Sequence, residues 1–414
     1  MRGPPKMIIR ARWVVTMDGP PIENGAVAVN GATIAAVGRW DDVRAATSGD
    51  LVDLGESALL PGLINAHCHL DYTNLRGAIP RQSCFTDWIR AINAAKTTLT
   101  PNDYLQSIAA GLAEAAGFGT TTIANLEAFP ELLEQMPAPP MRVWWFAEMI
   151  DVRTPVPASE IYSKMRRAFD RDSRWLGDVG LAPHAPFTAS VKLYAEASEL
   201  AIRHGLTLTT HLAESRDEME MFRDGRGELF NFMRNIGRPA EDCGGITPLA
   251  LLLSHGILNE RWIIAHLNEL SDGDFELLAG APKFSIVHCP RSHARFGHSR
   301  FRLNEIRALG FNVCLGTDSL ASNDDLSLFA EMRELSRVES GLAPMELLKM
   351  VTVNAAAALR QSDSLGRIRA GSAADLICIP CGADGPETLA RLVHFDGQIP
   401  WRMLGGRQMS RNPV

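Results

Sequence analysis

Two histidines one residue apart, His67 and His69, close the apolar stretch Leu59-Leu60-Pro61-Gly62-Leu63-Ile64-Asn65-Ala66. A short apolar run bounded by Pro, Gly and polar residues reads as a buried strand, and side chains two apart on a strand share a face. Both imidazoles therefore leave the strand end into one space, and imidazole is the commonest protein ligand for Zn²⁺ and related ions. His211 and Asp318 extend the pair to three nitrogens and one carboxylate. That donor set suits one divalent cation, Zn²⁺ first, with Fe²⁺ or Mn²⁺ as alternatives. Such a site keeps a position for water and lowers its pKa from about 15.7 towards about 7, so a nucleophile forms at neutral pH. Alone, Asp318 in Gly316-Thr317-Asp318-Ser319 would read as a helix N-cap; beside three histidines it reads as a ligand.

Glu214 follows in His211-Leu212-Ala213-Glu214-Ser215, three residues past a ligand. A carboxylate there can take a proton from water and deliver it to a leaving nitrogen. His266, in Ile263-Ile264-Ala265-His266, is placed to polarise a substrate or hydrogen-bond the nucleophile. His184, in Ala182-Pro183-His184-Ala185-Pro186, sits where a two-metal site would need a bridging carboxylate, commonly a modified lysine. The nearest downstream lysine is Lys192, so the pattern favours one metal, with His184 as a substrate-binding group. His288, Arg291, Ser292 and His293 form a polar loop that also reads as substrate-binding, and Phe85, Trp88 and Phe187 read as pocket walls.

These residues need elements to gather them. Strand-like runs occur at 60–66, 120–126, 142–149, 178–183, 206–211, 262–266, 284–289 and 312–317, alternating with helical patterns such as 103–117 and 190–204. Strands alternating with helices in this number are the signature of a (β/α)8 TIM-type barrel. A doubly wound sheet would need a glycine-rich phosphate turn after an early strand, and the sequence has none. Active sites of such barrels lie at the C-terminal strand ends. Those ends carry His67 and His69, then Glu127, Glu148, His184, His211, His266, His288 and Asp318: a titratable group at every one. Short β-rich runs at 7–16, 25–30 and 33–38 are matched near the far end by 374–379, 392–395 and 401–404. The simplest arrangement joins both chain ends into one small composite β-sandwich domain, 1–58 with 366–414, and inserts the barrel, 59–365, between its halves.

The rest of the composition excludes other classes. The chain has 414 residues, 46% of them hydrophobic, and a net charge of −7 with scattered basic residues. There is no nucleic-acid footprint or polybasic membrane patch, and no run approaches the ~18 apolar residues of a spanning helix. The basic stretch Met1–Arg12 lacks an apolar core of signal-peptide length. The seven cysteines are scattered, mostly within apolar runs, which fits reduced thiols in a cytoplasmic protein.

With these residues in hand, the chain resembles the amidohydrolase superfamily, in the branch of cytosine, S-adenosylhomocysteine, guanine and aminodeoxyfutalosine deaminases and triazine hydrolases. The resemblance rests on Pro61-Gly62-Leu63-Ile64-Asn65-Ala66-His67-Cys68-His69, His211-Leu212-Ala213-Glu214, His266, Gly316-Thr317-Asp318-Ser319 with Ser322-Asn323, Val351-Thr352-Val353-Asn354-Ala355-Ala356 and Gly371-Ser372-Ala373-Ala374-Asp375-Leu376. It implies one metal held at the positions of His67, His69, His211 and Asp318. It further implies proton transfer at those of Glu214, His266 and Asp318, and substrate contacts at those of His184 and Ser322. The implied activity is hydrolytic removal of ammonia from an aminopurine-like N-heterocycle, a small molecule, by a homodimer. One departure stands out. Nucleoside-recognising members place a glutamate for the ribose in the helical segment after the first strand, where this chain reads Ala95-Lys96-Thr97. Glu127 and Glu148 are the nearest replacements. The segment His288-Cys289-Pro290-Arg291-Ser292-His293 is similar to the aminodeoxyfutalosine deaminase type, so 6-amino-6-deoxyfutalosine or a related nucleoside is the expected substrate class. Hydrolysis of another C–N or C–Cl bond (guanine, pterin, triazine, cyclic amide), or a barrel that binds without turnover, are the alternatives.

Overall fold

A computed structural model describes residues 6–381 and 388–409. The strands, in chain order, are β1 (Lys6–Val14), β2 (Ile22–Asn30), β3 (Thr33–Arg39), β4 (Asp50–Asp53), β5 (Ser57–Pro61), β6 (Leu63–His69), β7 (Thr120–Glu127), β8 (Arg142–Met149), β9 (Leu176–Pro183), β10 (Leu208–Leu212), β11 (Trp262–His266), β12 (Ser285–His288), β13 (Asn312–Leu315), β14 (Asp318–Ser319), β15 (Leu376–Pro380), β16 (Trp401–Leu404) and β17 (Arg407–Met409). They form two sheets. One runs β17-β16-β15-β5-β1-β2-β3 with β4 beside β1; the other runs β13-β12-β11-β10-β9-β8-β7-β6-β14. By compactness the chain divides into one unit of Met1–Asn65, Ala113–Ile123 and Ser327–Val414, and a second of Ala66–Leu112 and Ala124–Leu326.

The mixed sheet of the first unit is built from both chain ends, as the sequence predicts. β15 pairs antiparallel with β5, Cys378 opposite Leu59, and β1 pairs antiparallel with β2. Alternation along β1 serves both faces: Ile9, Ala11 and Val14 join Val27, Leu59, Leu376 and Met403 in one cluster, while Ile8 joins Ala26, Ala28, Trp40 and Val43 in another. The expected strand at 392–395 is a correction. Thr388–Val393 is helical, with Leu392 and Val393 buried. A short apolar run carries no period that separates strand from buried helix turn.

The larger sheet is a (β/α)8 barrel. Its strands are parallel and near-continuously apolar, as a sheet covered on both faces requires. The eighth barrel strand is interrupted. β13 pairs with β12, and three residues later β14 pairs with β6, setting Asp318 opposite Cys68 and Ser319 opposite His69. Gly316 makes this closure sterically feasible: a Cβ there would lie 2.7 Å from the carbonyl oxygen of His67. A second glycine corrects the reading of 60–66 as one strand. β5 ends at Pro61 and β6 begins at Leu63; at Gly62, between them, a Cβ would lie 2.1 Å from Thr121 Oγ1, so only glycine fits. Elsewhere the expected strands at 142–149, 262–266 and 401–404 are found unchanged, the others differ by up to three residues at an end, and the expected helix 190–204 is Val191–His204. That helix is capped by the Ser190 hydroxyl and by Gly205 at φ 73°. Among the described residues, no helix is long and apolar enough to cross a membrane.

Candidate active site

Every residue singled out for metal or proton chemistry belongs to the second unit, at or just beyond a barrel strand end. β6 delivers His67 and His69, β10 delivers His211, β11 ends on His266 and β14 begins with Asp318. Alternation sends Cys68 away from the pair. The backbone is contorted where function needs it: His266 has φ 73° and Asp318 φ 58°, left-handed conformations that side chains other than glycine rarely adopt. Strain of this kind turns each side chain off its strand and towards the barrel axis.

The side chains converge. His69 Nε2 and His211 Nε2 are 3.2 Å apart; Asp318 Oδ1 is 3.7 Å from His67 Nε2 and 3.8 Å from His69 Nε2. His67, His211 and His266 offer ring nitrogens within 4.8 Å of one another, as do His67, His69 and Asp318, and the carboxylates of Glu214 and Asp318 with His266. A tetrahedral zinc ion with Zn–N bonds of about 2.0–2.1 Å separates two ligand nitrogens by about 3.3 Å. The donor set and its spacing therefore fit one such cation.

Hydrogen bonds fix the donors. His211 Nδ1 donates to the carbonyl oxygen of His184 at 2.9 Å, so its Nε2 lone pair faces the centre. Asp318 Oδ2 accepts from Ser292 Oγ at 2.6 Å and Ser322 Oγ at 2.9 Å, leaving Oδ1 to the histidines. Burial, before all else, pushes His211 down to about 3 and holds His69 and His266 well below the usual imidazole range. These rings are neutral, the state a ligand needs. Burial works to raise Asp318, but the hydrogen bond from His67 and the histidines gathered around it hold the carboxyl well below its ordinary range.

Glu214 lies across from the ligands, its Oε1 3.7 Å from His266 Nε2. Burial first, then the charges of Asp318 and Glu218, raise its pKa well above that of a free glutamate. A group so perturbed and so placed is suited to carry a proton. Its backbone is clamped: the N–H donates to Glu218 Oε2 at 2.8 Å, and the carbonyl accepts from Asn268 Nδ2 at 3.1 Å.

Glu214, His266 and Asp318 line one end of a cavity of about 680 Å³, with His69, His184, His211, Glu148 and Ser319 beside them and His67 buried behind. Tyr72, Phe85, Trp88, Phe187 and Phe232 supply aromatic walls, and Lys96 and Arg153 also line it. Such a cavity is of ligand size, apolar with a few convergent polar groups. His184 is oriented by Thr188. The Thr188 hydroxyl donates to Ala185 O at 3.2 Å and accepts from His184 Nδ1 at 2.6 Å. Burial pushes His184 down to about 3, so it too is neutral.

The other expected substrate contacts are placed differently. Ser292 and Ser322 are buried against Asp318 and do not line the cavity. Glu127 is fully buried, its Oε1 accepting from Phe129 N at 3.1 Å, and also stands off the cavity. Arg291 pairs with Asp325 at 2.6 Å and Asp324 at 3.2 Å, and His288 stacks on Phe301 with ring centroids 4.0 Å apart. Trp88, Glu148 and His184 do face it. Sequence reasoning overlooked Tyr72, Thr188, Glu218 and Asn268. The last two lie four residues past Glu214 and two past His266, close enough in sequence to have been found as supports of those groups.

A parallel barrel whose strand ends converge on three imidazoles and a carboxylate, beside a buried carboxyl, defines a metal-dependent hydrolase of the TIM-barrel type. Residues 58–397 match the model of the Amidohydrolase family, and the chain belongs to that family, whose enzymes hydrolyse carbon–nitrogen bonds. It is 30% identical over 402 residues to the 5-methylthioadenosine/S-adenosylhomocysteine deaminase of Nitratidesulfovibrio vulgaris, covering 92% of this chain and 85% of the relative. It is 27% identical over 421 residues to the 5'-deoxyadenosine deaminase of Methanothrix thermoacetophila, covering 99% and 95%. Among solved structures, a zinc-bound adenosine deaminase from Xanthomonas campestris superposes with a TM-score of 0.80 at 25% identity over 99% of this chain and 93% of that one. The aminofutalosine deaminase of Helicobacter pylori superposes with a TM-score of 0.84 at 19% identity over 98% and 100%, a likeness of fold.

Proposed function

We propose that this protein is a metal-dependent aminohydrolase that removes the exocyclic amino group of an adenosine-like nucleoside as ammonia. The observation that carries the reading is the convergence of His67, His69, His211 and Asp318 within reach of Glu214 and His266, five of the six lining the end of one cavity with His67 buried against them. The relatives named as deaminases of 5-methylthioadenosine, S-adenosylhomocysteine and 5'-deoxyadenosine support the substrate class.

His67, His69, His211 and Asp318 would hold the cation, Zn²⁺ by donor type, and the cation supplies the Lewis acidity that makes water nucleophilic near neutral pH. The protein's own groups do the rest. Asp318, with Oδ2 tied to two hydroxyls, keeps Oδ1 as the acceptor nearest the attacking water. Glu214 shuttles the water proton to the ring nitrogen beside the carbon under attack, which loses its aromatic double bond as the C–O bond forms. His266 hydrogen-bonds the attacking oxygen. Collapse makes that oxygen a carbonyl as its proton passes through the same carboxyl to the amino group, the C–N bond breaks, and the amino group leaves as ammonia. The aromatic walls stack a planar heterocycle and exclude water. His184, neutral and held by Thr188, presents Nε2 as an acceptor to the bound ring.

The test is ammonia release from protein of known metal content, offered adenosine, 5'-deoxyadenosine, 5-methylthioadenosine, S-adenosylhomocysteine and 6-amino-6-deoxyfutalosine, with guanine, a pterin and a chlorotriazine as contrasts. Turnover of the nucleosides supports the reading. Chloride or a ring-opened acid without ammonia, or no turnover of any, overturns it.

A further inference from the structure

Each ring that turns Nε2 to the centre must place the proton of its other nitrogen somewhere. In metal sites that second nitrogen almost always donates to a carboxylate, a backbone carbonyl or water, which fixes the tautomer and aims the lone pair. His211 has met this need through the carbonyl of His184. His69 has not. Its Nδ1 is buried and makes no hydrogen bond among the described residues. The carboxylate facing it is Glu148, with Oε2 3.9 Å from Nδ1 and both side chains only 7% exposed.

We infer that Glu148 is a positioning residue for the metal site: it receives the Nδ1 proton of His69 and so holds the Nε2 lone pair towards the place shared with His67, His211 and Asp318. This rests on the metal-site reading above and assigns Glu148 a role different from that of a nucleoside contact.

The surroundings suit the task. Glu148 is the next-to-last residue of β8, paired opposite Ala182 of β9, so its backbone is fixed by the barrel. The observed 3.9 Å is an ion-pair distance, roughly 0.7–1 Å longer than an N–H···O bond, a gap that a small rotation of either side chain closes. Behind it stand two further carboxyls, Asp71 and Glu127, both buried. Burial first, then the charge of Glu148, pushes Asp71 up to about 8; burial and the charge of Asp71 hold Glu127 well above its ordinary value. Tyr72 stacks on the His69 ring at a centroid distance of 5.8 Å.

Glu148 also lines the cavity, so a substrate contact is the competing role, and the two separate cleanly. Glu148→Ala and Glu148→Gln are purified with zinc. Metal retention against a competing chelator is followed alongside kcat and KM for the best substrate of the panel above, with circular dichroism as a check on folding. The inference expects the alanine variant to hold metal 10- to 100-fold more weakly, the range for lost outer-sphere partners. Glutamine, whose amide oxygen still accepts from Nδ1–H, should recover much of that affinity, and KM of the metal-saturated variants should stay within a few-fold of wild type. Wild-type metal retention in Glu148→Ala together with a large rise in KM would overturn this inference and leave the metal site standing. A wild-type chain that takes up no stoichiometric metal would overturn both. Replacement of zinc by Co²⁺ gives a readout free of turnover: the visible bands should shift in Glu148→Ala and move back in Glu148→Gln.

Discussion

His69 Nε2 and His211 Nε2 face each other at 3.2 Å, both side chains buried at the end of the cavity. His211 has committed its proton to Nδ1, so its Nε2 presents a lone pair. Burial holds both rings below the range in which they would be cations, so repulsion between imidazoliums is absent. Two neutral rings with converging nitrogens and a carboxylate oxygen 3.8 Å from one of them have the arrangement that a preassembled cation site requires.

The first expectation follows directly. Purified protein should carry about one equivalent of zinc, iron or manganese per chain, read by elemental analysis. Removal with a chelator should abolish hydrolysis, and re-addition should restore it. Because the site is held by barrel strands, the apo form should keep its far-ultraviolet circular dichroism. His67→Ala should remain folded and metal-depleted.

Glu214, the proton carrier in the proposed reaction, lies close to His266 and is tethered through its backbone to Glu218 and Asn268. Glu214→Gln keeps size and removes the titratable proton. It should lower kcat by roughly 10²- to 10⁴-fold while metal content stays at the wild-type level. A variant that loses metal in parallel with rate would place Glu214 among the ligands instead.

How much of this was readable beforehand differs by residue. His67 and His69 were legible because a two-residue spacing on a strand leaves no freedom about which side they share. His211, His266 and Asp318 followed once eight strand-like runs were aligned and their ends compared. The barrel needed only the alternation of apolar runs with helical periods. What stayed hidden depends on distances between remote residues. Nothing in the sequence says that Ser292 and Ser322 point at Asp318 rather than at a ligand, since a hydroxyl serves either purpose. Glu127 and Glu148 both end adjacent strands, yet one is sealed in and the other faces the cavity, a difference of side-chain direction that strand register alone does not settle. The helix at Thr388–Val393 was missed because six residues are too few to show a period.

Ser292 and Ser322 give a prediction that distinguishes support from recognition. Their hydroxyls both donate to Asp318 Oδ2, and their own Oγ atoms lie 3.1 Å apart. Removing one leaves the other in place, so Ser292→Ala and Ser322→Ala should each be mild. The double variant leaves Oδ2 without either donor in a buried site. It should weaken metal binding by roughly 10- to 100-fold, as lost outer-sphere partners do, with KM nearly unchanged once metal is saturating. Equilibrium competition with a metallochromic dye measures this.

The last prediction concerns pH. Glu218 is fully buried, and burial pushes its pKa from 4.5 up to about 7, although the backbone N–H groups of Glu214 and Ala213 work against that rise. A carboxyl raised in the folded state binds its proton more tightly there than in the unfolded chain. Between about pH 4.5 and about 7 the unfolded chain therefore holds fewer protons, and stability falls as pH rises. The contribution is fully present below 4.5 and lost by the time pH passes 7. At about 1.36 kcal/mol per pKa unit the loss from this group is roughly 3 kcal/mol. Glu218→Gln cannot ionise, and its amide oxygen can still accept from Glu214 N. Denaturant unfolding at pH 5, 6, 7 and 8 should show the variant losing less stability than wild type across that window, with the difference growing towards pH 7 and then levelling. Parallel slopes for the two proteins would mean that Glu218 stays ionised in the folded chain.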